Sequence, residues 1–120
     1  MKPIIISLLY LSILLALSTF IFDPTHLYYE LPWLDIPMHI LGGFGVASLA
    51  GAILVYKGMK ISYKYLFISY LLVAITWEGY EYAHDMIRGR IWNGWVDTIK
   101  DLVDGAIGLS VSYYIQKIKS

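Results

Sequence analysis

The stretch that decides the fold is residues 36–56, IPMHILGGFGVASLAGAILVY. It contains no Asp, Glu, Lys or Arg, and His39 is its only imidazole side chain. A membrane-spanning helix needs about 20 predominantly apolar residues, and this stretch reaches that length. It therefore predicts a transmembrane helix over residues 36–57.

Three further apolar stretches extend this pattern. Residues 4–22 carry no charged side chain, whereas residues 65–77 and 105–115 are apolar but adjoin acidic turns. We predict an all-α fold, a polytopic four-transmembrane-helix bundle that forms one transmembrane domain over residues 1–120, with helices at about 3–22, 36–57, 63–85 and 97–117.

The first stretch has a second interpretation. Lys2, the apolar run and Ala16-Leu17-Ser18 are also typical of a cleaved signal peptide with small residues at the cleavage site. The apolar run continues through Phe22, which favours a membrane span. Either interpretation leaves the orientation of the other three helices unchanged.

Composition excludes several classes of protein. The 120 residues are 58% hydrophobic and 15% charged, whereas an average soluble domain is about 45–50% apolar and about 25% charged. The chain is therefore too apolar for an ordinary soluble globule. It has no cysteine, which excludes disulfides and thiolate metal sites. Its net charge of zero argues against nucleic acid as the main partner, and the lipid bilayer is the partner that we expect.

The charged side chains are unevenly divided between the two sides of the predicted bundle. The side that holds both termini and the 58–62 connection carries basic residues and no acidic residue: Lys2, Lys57, Lys60, Lys64, Lys117 and Lys119. The opposite side carries all nine Asp and Glu residues. Because Lys and Arg in short loops mark the cytoplasmic side, we predict a multi-pass protein of the inner membrane with cytoplasmic N- and C-termini.

Three predicted helices each carry ionisable side chains on one face. Helical spacing of three or four residues aligns them in three sets: Glu78, Glu81 and Asp85; Asp97, Asp101 and Asp104; Asp35 and His39. The direction of each helix places all three sets toward the outward side. We therefore predict an outward-opening polar cavity lined by Glu78, Glu81, Asp101, Asp104 and His39.

The cost of burying this cluster limits how its charge can be balanced. A charged residue at the membrane centre costs about 2.5 kcal/mol or more. Three arrangements would balance the acids: a bound divalent metal, shared protons, or pairing with Arg88, Arg90, His39 and His84. Oxygen ligands with an imidazole suit Mg²⁺, Mn²⁺, Ca²⁺ or Zn²⁺. Iron is a weaker alternative, because Glu-x-x-His occurs once, at Glu81 and His84, whereas di-iron bundles carry it twice.

Several of these residues also have purely structural interpretations. Asp35 and Asp97 each precede a predicted helix and could serve as N-caps. His84 and Asp85 could simply face water at the membrane interface. We therefore treat Asp35, His84, Asp85 and Asp97 as secondary site candidates.

Three motifs resemble those of a known family. Residues 35–43 (DIPMHILGG) look like the Asp-x-x-x-His-x-x-x-Gly sequence of YjdF-like inner-membrane proteins, and residues 77–82 (WEGYEY) resemble their Trp-Glu-x-x-Glu motif. Residues 97–108 (DTIKDLVDGAIG) resemble their Asp-Thr-x-x-Asp-Leu-x-x-Asp-x-x-Gly motif. VanZ-like proteins share a looser version. The resemblance implies a bacterial or archaeal inner-membrane protein with no settled activity. Because this chain is shorter than typical members, a homo-oligomer is an arrangement to test.

The functional hypothesis that we favour is a metal-dependent membrane hydrolase acting on a lipid or polyprenyl phosphate. Glu78 or Glu81 would act as the base, and Arg88 and Arg90 would hold the anionic headgroup. The metal ligands would be His39, Glu78, Glu81, Asp101 and Asp104. Two alternatives remain: a proton- or cation-coupled carrier, and a non-catalytic membrane assembly or sensor module.

Overall fold

The fold was analysed in a computed structural model that describes residues 2–18, 32–87 and 95–119. Over these ranges the chain forms four α-helices and one short 3-10 helix, with no strand. The elements are α1 (Lys2–Ala16), the 3-10 helix (Pro32–Leu34), α2 (Asp35–Tyr56), α3 (Tyr63–Ile87) and α4 (Trp95–Lys119). The predicted all-α, four-helix architecture is confirmed.

The observed helix ends lie close to the predicted ones. Helices α2, α3 and α4 each begin and end within two residues of their predicted bounds. Helix α1 ends at Ala16 and is followed by a π-helical turn at Leu17 and Ser18. Residues 19–22, the predicted end of the first span, lie outside the described residues.

Helices α2 and α4 form the central pair of the bundle, α1 packs on α2, and α3 contacts both members of the pair. Glycine permits the close approach of α2 and α4. A Cβ atom added to Gly43 would collide with the backbone of Gly105, and one added to Gly108 would collide with the carbonyl oxygen of Ile40. The absence of side chains at these glycines therefore lets the two helix backbones meet, as small residues do at helix contacts in membranes.

Helix α2 ends in a Schellman motif centred on Gly58. Met59 N donates to Leu54 O at 2.8 Å, and Gly58 N donates to Val55 O at 3.0 Å. Gly58 has φ of 76°, a left-handed conformation that glycine adopts without steric cost. This cap sets the reversal from α2 into α3 and so brings α3 back alongside α2.

The bundle exposes most of its large apolar side chains. The buried hydrophobic core is small and consists of Ala47, Leu66, Tyr70 and Leu109, whereas Leu72 is 65% exposed and Ile13 is 61% exposed. Among the described ranges, α2 is the one helix that is both long enough and apolar enough to cross a bilayer, and α1 is apolar but shorter. An apolar exterior of this kind needs lipid or a partner to cover it.

Candidate functional site

A histidine on α2 lies between two carboxylates from different helices. His39 Nε2 is 3.1 Å from Asp35 Oδ1 and 3.2 Å from Asp101 Oδ2. Asp35 and His39 are four residues apart on α2 and so share a face, while Asp101 reaches them from α4. The close α2–α4 approach at the glycines is what brings these side chains together.

Asp35 does not cap α2. The residue at the N-cap position is Leu34, which makes no side-chain capping hydrogen bond. Asp35 is instead the first residue of the helix, and its carboxylate contacts His39. The N-cap interpretation of Asp35 is therefore wrong, and the residue joins the polar cluster.

A second group of carboxylates shares Asp101 with the first. Glu78 and Glu81 on α3 each place an oxygen within 4.8 Å of the other and of an Asp101 oxygen. Trp77 Nε1 donates to Glu81 Oε1 at 2.7 Å, and Thr98 Oγ1 donates to Glu78 Oε2 at 3.5 Å. Asp101 is thus the point at which side chains from α2, α3 and α4 meet.

Lys100 adds a cation that the sequence analysis did not assign to the site. Its Nζ lies 3.5 Å from Asp35 Oδ2, 3.7 Å from Asp101 Oδ1 and 4.0 Å from Asp104 Oδ2. One signal could have identified it: Lys100 and Asp104 are four residues apart, the spacing of a helical ion pair. We define the acidic cluster as Asp35, His39, Glu78, Glu81, Lys100, Asp101 and Asp104.

Burial within the acidic cluster increases from one end to the other. The Asp101 side chain is 3% exposed and forms the buried part. His39 is 18% exposed, Asp35 is 32% exposed and Lys100 is 41% exposed, so these three lead to the surface. The open end lies where α2 begins, which is the end of the bundle that the sequence analysis places outward.

Asp104 lies in the buried part of the cluster and is 9% exposed as a residue. Its Oδ2 is fully buried and accepts no hydrogen bond from the residues that the structure describes. A buried acceptor without a hydrogen bond costs about 1–3 kcal/mol, and more when it is charged. Asp104 therefore places a buried carboxylate oxygen 4.0 Å from the Lys100 ammonium, where a positive charge would stabilise it.

Tyr70 closes the cluster on its inner side. Its hydroxyl donates to Leu102 O at 2.7 Å, which ties α3 to α4. The same ring fills the space beside Gly105, where a Cβ would meet the tyrosine side chain. The acidic cluster thus ends at a packed layer of Tyr70 and glycine backbone.

A comparison with protein-family models decides the family. The model described as "Predicted membrane protein (DUF2238)" matches residues 3–118. The chain belongs to this family. The family is described as one of predicted membrane proteins, for which the lipid bilayer is the expected surrounding, and the resemblance to YjdF-like proteins is consistent with that family. Searches of curated proteins and of solved structures both found no match.

Some predicted site residues of this DUF2238 protein lie beyond the described structure. Arg88 and Arg90 fall outside the described residues, so their role as substrate ligands stays a prediction. His84 and Asp85 lie within α3 and Asp97 lies within α4, but their side chains are outside the described part. Helix α4 begins at Trp95, so Asp97 lies inside the helix and the N-cap interpretation does not fit this boundary.

Proposed function

We propose that this protein is a divalent-cation-dependent membrane hydrolase that acts on a lipid or polyprenyl phosphate. The observation that carries this proposal is the position of His39 Nε2, about equally distant from carboxylate oxygens of Asp35 and Asp101. Ligand atoms about 2.1 Å from one ion lie roughly 3.0–3.4 Å apart in octahedral or tetrahedral geometry. The distances of 3.1 and 3.2 Å around His39 match that spacing.

The mixture of ligand types limits which metal this site would hold. One imidazole with several carboxylate oxygens suits Mg²⁺, Mn²⁺, Ca²⁺ or Zn²⁺, and iron is a further candidate. Asp35, His39 and Asp101 would be the first ligands, with Glu78, Glu81 and Asp104 close by. A bound divalent metal would polarise a phosphoryl oxygen or activate a water molecule.

The protein side chains would supply the remaining functions of a hydrolase. Glu78 or Glu81 would accept a proton from the attacking water. The Trp77 indole donates to one oxygen of Glu81 and would orient that carboxylate for proton transfer. Arg88 and Arg90 would bind the phosphate of the substrate, because guanidinium groups bind phosphate through two parallel hydrogen bonds.

An apolar groove supports a lipid substrate. A cavity of about 270 Å³ between α2 and α3 is lined mainly by apolar side chains, including Val46, Leu49, Ile53 and Val73. Val46 follows His39 by seven residues, so the two share a face of α2 and lie roughly 10 Å apart along the axis. A phosphate at the acidic cluster could thus extend its hydrocarbon chain along this groove.

The proposal includes an orientation of the protein in the membrane. We place four spans in the inner membrane with both termini in the cytoplasm, since the lysine-rich end of the bundle lies opposite the acidic cluster. The cluster would then face the outer leaflet, where it would meet a lipid phosphate and extracellular cations.

The test is a binding and activity measurement on detergent-purified protein. We expect Mn²⁺ to bind the wild type and His39→Gln to weaken this binding at least tenfold, with phosphate release from a polyprenyl phosphate lost in parallel. Ser112→Ala, which alters the same α2–α4 interface at its other end, is the matched control and should bind Mn²⁺ as the wild type does. Equal Mn²⁺ binding by wild type and His39→Gln would contradict the proposal.

A cation-coupled carrier is the second candidate, and one observation favours it. Polar side chains continue along the α2–α4 interface beyond the cluster, where Ser48 Oγ lies 2.7 Å from Ser112 Oγ and Gln116 Nε2 donates to Ser112 Oγ at 3.0 Å. Flux into liposomes should then fall in Glu78→Gln and Asp104→Asn. Equal flux in the wild type and both variants would exclude the carrier.

A further inference from the structure

The two carboxylates that flank His39 each contact the imidazole with one oxygen and an ammonium with the other. Asp35 places Oδ1 at 3.1 Å from His39 Nε2 and Oδ2 at 3.5 Å from Lys100 Nζ. Asp101 places Oδ2 at 3.2 Å from His39 Nε2 and Oδ1 at 3.7 Å from Lys100 Nζ. The imidazole and the ammonium therefore use different oxygens of the same two carboxylates.

We infer that Lys100 is a specificity-determining residue of the proposed metal site. Its ammonium occupies the second oxygen of Asp35 and of Asp101, so each carboxylate offers one oxygen to a metal ion beside His39. Such a site favours the small octahedral cations Mg²⁺ and Mn²⁺ over Ca²⁺. The inference rests on the proposed function, and it narrows the set of metals that the ligand types alone leave open.

The coordination chemistry of these cations gives the physical reason. Ca²⁺ takes about 6–8 oxygen ligands at about 2.3–2.6 Å and can bind both oxygens of one carboxylate. Mg²⁺ is held at about 2.0–2.1 Å by one or two carboxylates and keeps several water molecules, and Mn²⁺ prefers the same kinds of ligand. Two single carboxylate oxygens and one imidazole nitrogen therefore suit the smaller ions better than Ca²⁺.

Several contacts keep the Lys100 ammonium at these oxygens. It donates a hydrogen bond to Asp35 Oδ2, and it lies 4.0 Å from Asp104 Oδ2 on its own helix. The Asp101 side chain is 3% exposed, and a buried carboxylate that loses its cationic partner is strongly destabilising. The ammonium thus has partners on both α2 and α4, which favours its staying in place when a metal binds at the oxygens nearest His39.

The experiment compares Mn²⁺ and Ca²⁺ affinities in detergent-purified wild type, Lys100→Met, Lys100→Arg and Lys64→Met. Electron paramagnetic resonance measures Mn²⁺ binding, and displacement of Mn²⁺ measures Ca²⁺ binding. We expect Lys100→Met to shift the ratio of the two affinities toward Ca²⁺ by about fivefold or more, because both oxygens of each carboxylate become available to the ion. The ratio cancels the general effect of removing one positive charge, since both ions are divalent.

Two of these variants are controls. Lys100→Arg keeps a cation that donates to carboxylate oxygens, so its affinity ratio should match that of the wild type. Lys64 is exposed at the beginning of α3, about 20 Å along that helix from Glu78, and Lys64→Met should also keep the wild-type ratio. A shift in either control as large as the shift in Lys100→Met would overturn the inference.

The outcomes separate this inference from the proposed function. If the wild type binds Mn²⁺ and His39→Gln weakens that binding, but Lys100→Met keeps the wild-type ratio, the role of Lys100 is wrong and the metal site stands. If the wild type binds neither Mn²⁺ nor Ca²⁺, the metal site and the inference both fail.

Infrared difference spectra of the wild type with isotope-labelled aspartate test the inference even if Lys100→Met does not fold. A carboxylate that binds a metal through one oxygen has a wider separation between its antisymmetric and symmetric stretching bands than a free carboxylate. A carboxylate that binds through both oxygens has a narrower separation. We expect the aspartate bands to move apart when Mn²⁺ is added, and a narrower separation would overturn the inference.

Discussion

The α2–α4 interface contains two polar regions that differ in charge. The outer region is the acidic cluster around Asp101. The inner region is a neutral network in which Ser48, Ser112 and Gln116 hydrogen bond to one another and to the Ala47 carbonyl. Ser112 is 1% exposed and Asp101 is 4% exposed, so each region has a buried part, but the two regions satisfy their polar atoms differently.

The two regions also differ in how completely their polar atoms are hydrogen bonded. In the inner region each donor meets an acceptor at 2.7–3.2 Å, and neutral hydrogen bonds of this kind stabilise helix contacts in a membrane. In the outer region Asp104 Oδ2 is buried with no hydrogen bond from the described residues. A cluster that costs stability is expected where a binding or catalytic role maintains it.

The largest expected effect comes from a substitution that pushes α2 and α4 apart at Gly43, which lies between the acidic cluster and the inner region. In Gly43→Val the new side chain would collide with the Gly105 backbone, so we expect a loss of roughly 3 kcal/mol or more and failure to purify as a folded monodisperse protein. Gly79→Val is the control, because nothing lies within 4 Å of a Cβ at that glycine. A folded Gly43→Val protein would show that the helices do not pack as described.

Neutralising Asp104 should have the next largest effect, in the stabilising direction. Asp104→Asn removes a buried charge from the acidic cluster, and we expect a gain of about 1–2 kcal/mol without divalent metal. Thermal unfolding in detergent with a chelator measures this. A loss of stability in place of a gain would show that the acidic cluster is structural.

Removing a hydrogen bond from the inner region should lower the free energy of unfolding, whereas Asp104→Asn should raise it. Ser112→Ala removes the hydroxyl that contacts both Ser48 and Gln116, and we expect a loss of about 1 kcal/mol with unchanged Mn²⁺ affinity. The Ser48→Ala, Ser112→Ala pair in a double-mutant cycle should show a coupling of about 0.5 kcal/mol or more. Additive losses would mean that the two hydroxyls do not interact.

The smallest effect is expected at the edge of the inner region. Tyr63 Oη lies 3.2 Å from Ser110 Oγ at an exposed position, while the Tyr63 ring packs edge-on against Tyr113. Tyr63→Phe keeps the ring contact, so the free energy of unfolding should change by less than about 0.5 kcal/mol. A larger loss would mean that the inner network extends to α3.

The sequence predicted the helices closely and predicted part of the site. Apolar length and helical spacing located α2, α3 and α4 to within two residues, since both depend on local sequence alone. Spacing also grouped Glu78 with Glu81 and Asp101 with Asp104. Lys100 was missed because its role depends on Asp35, which is 65 positions away in the chain.

The sequence by itself therefore determined the apolar helices, their lengths and the face on which each acidic residue lies, because these follow from hydrophobicity and from the helical repeat. The tertiary structure alone decided which faces meet. Contact between Gly43 and Gly105 brings α2 against α4, and this close approach places His39 between Asp35 and Asp101. Such a contact joins residues far apart in sequence, and no local pattern specifies it.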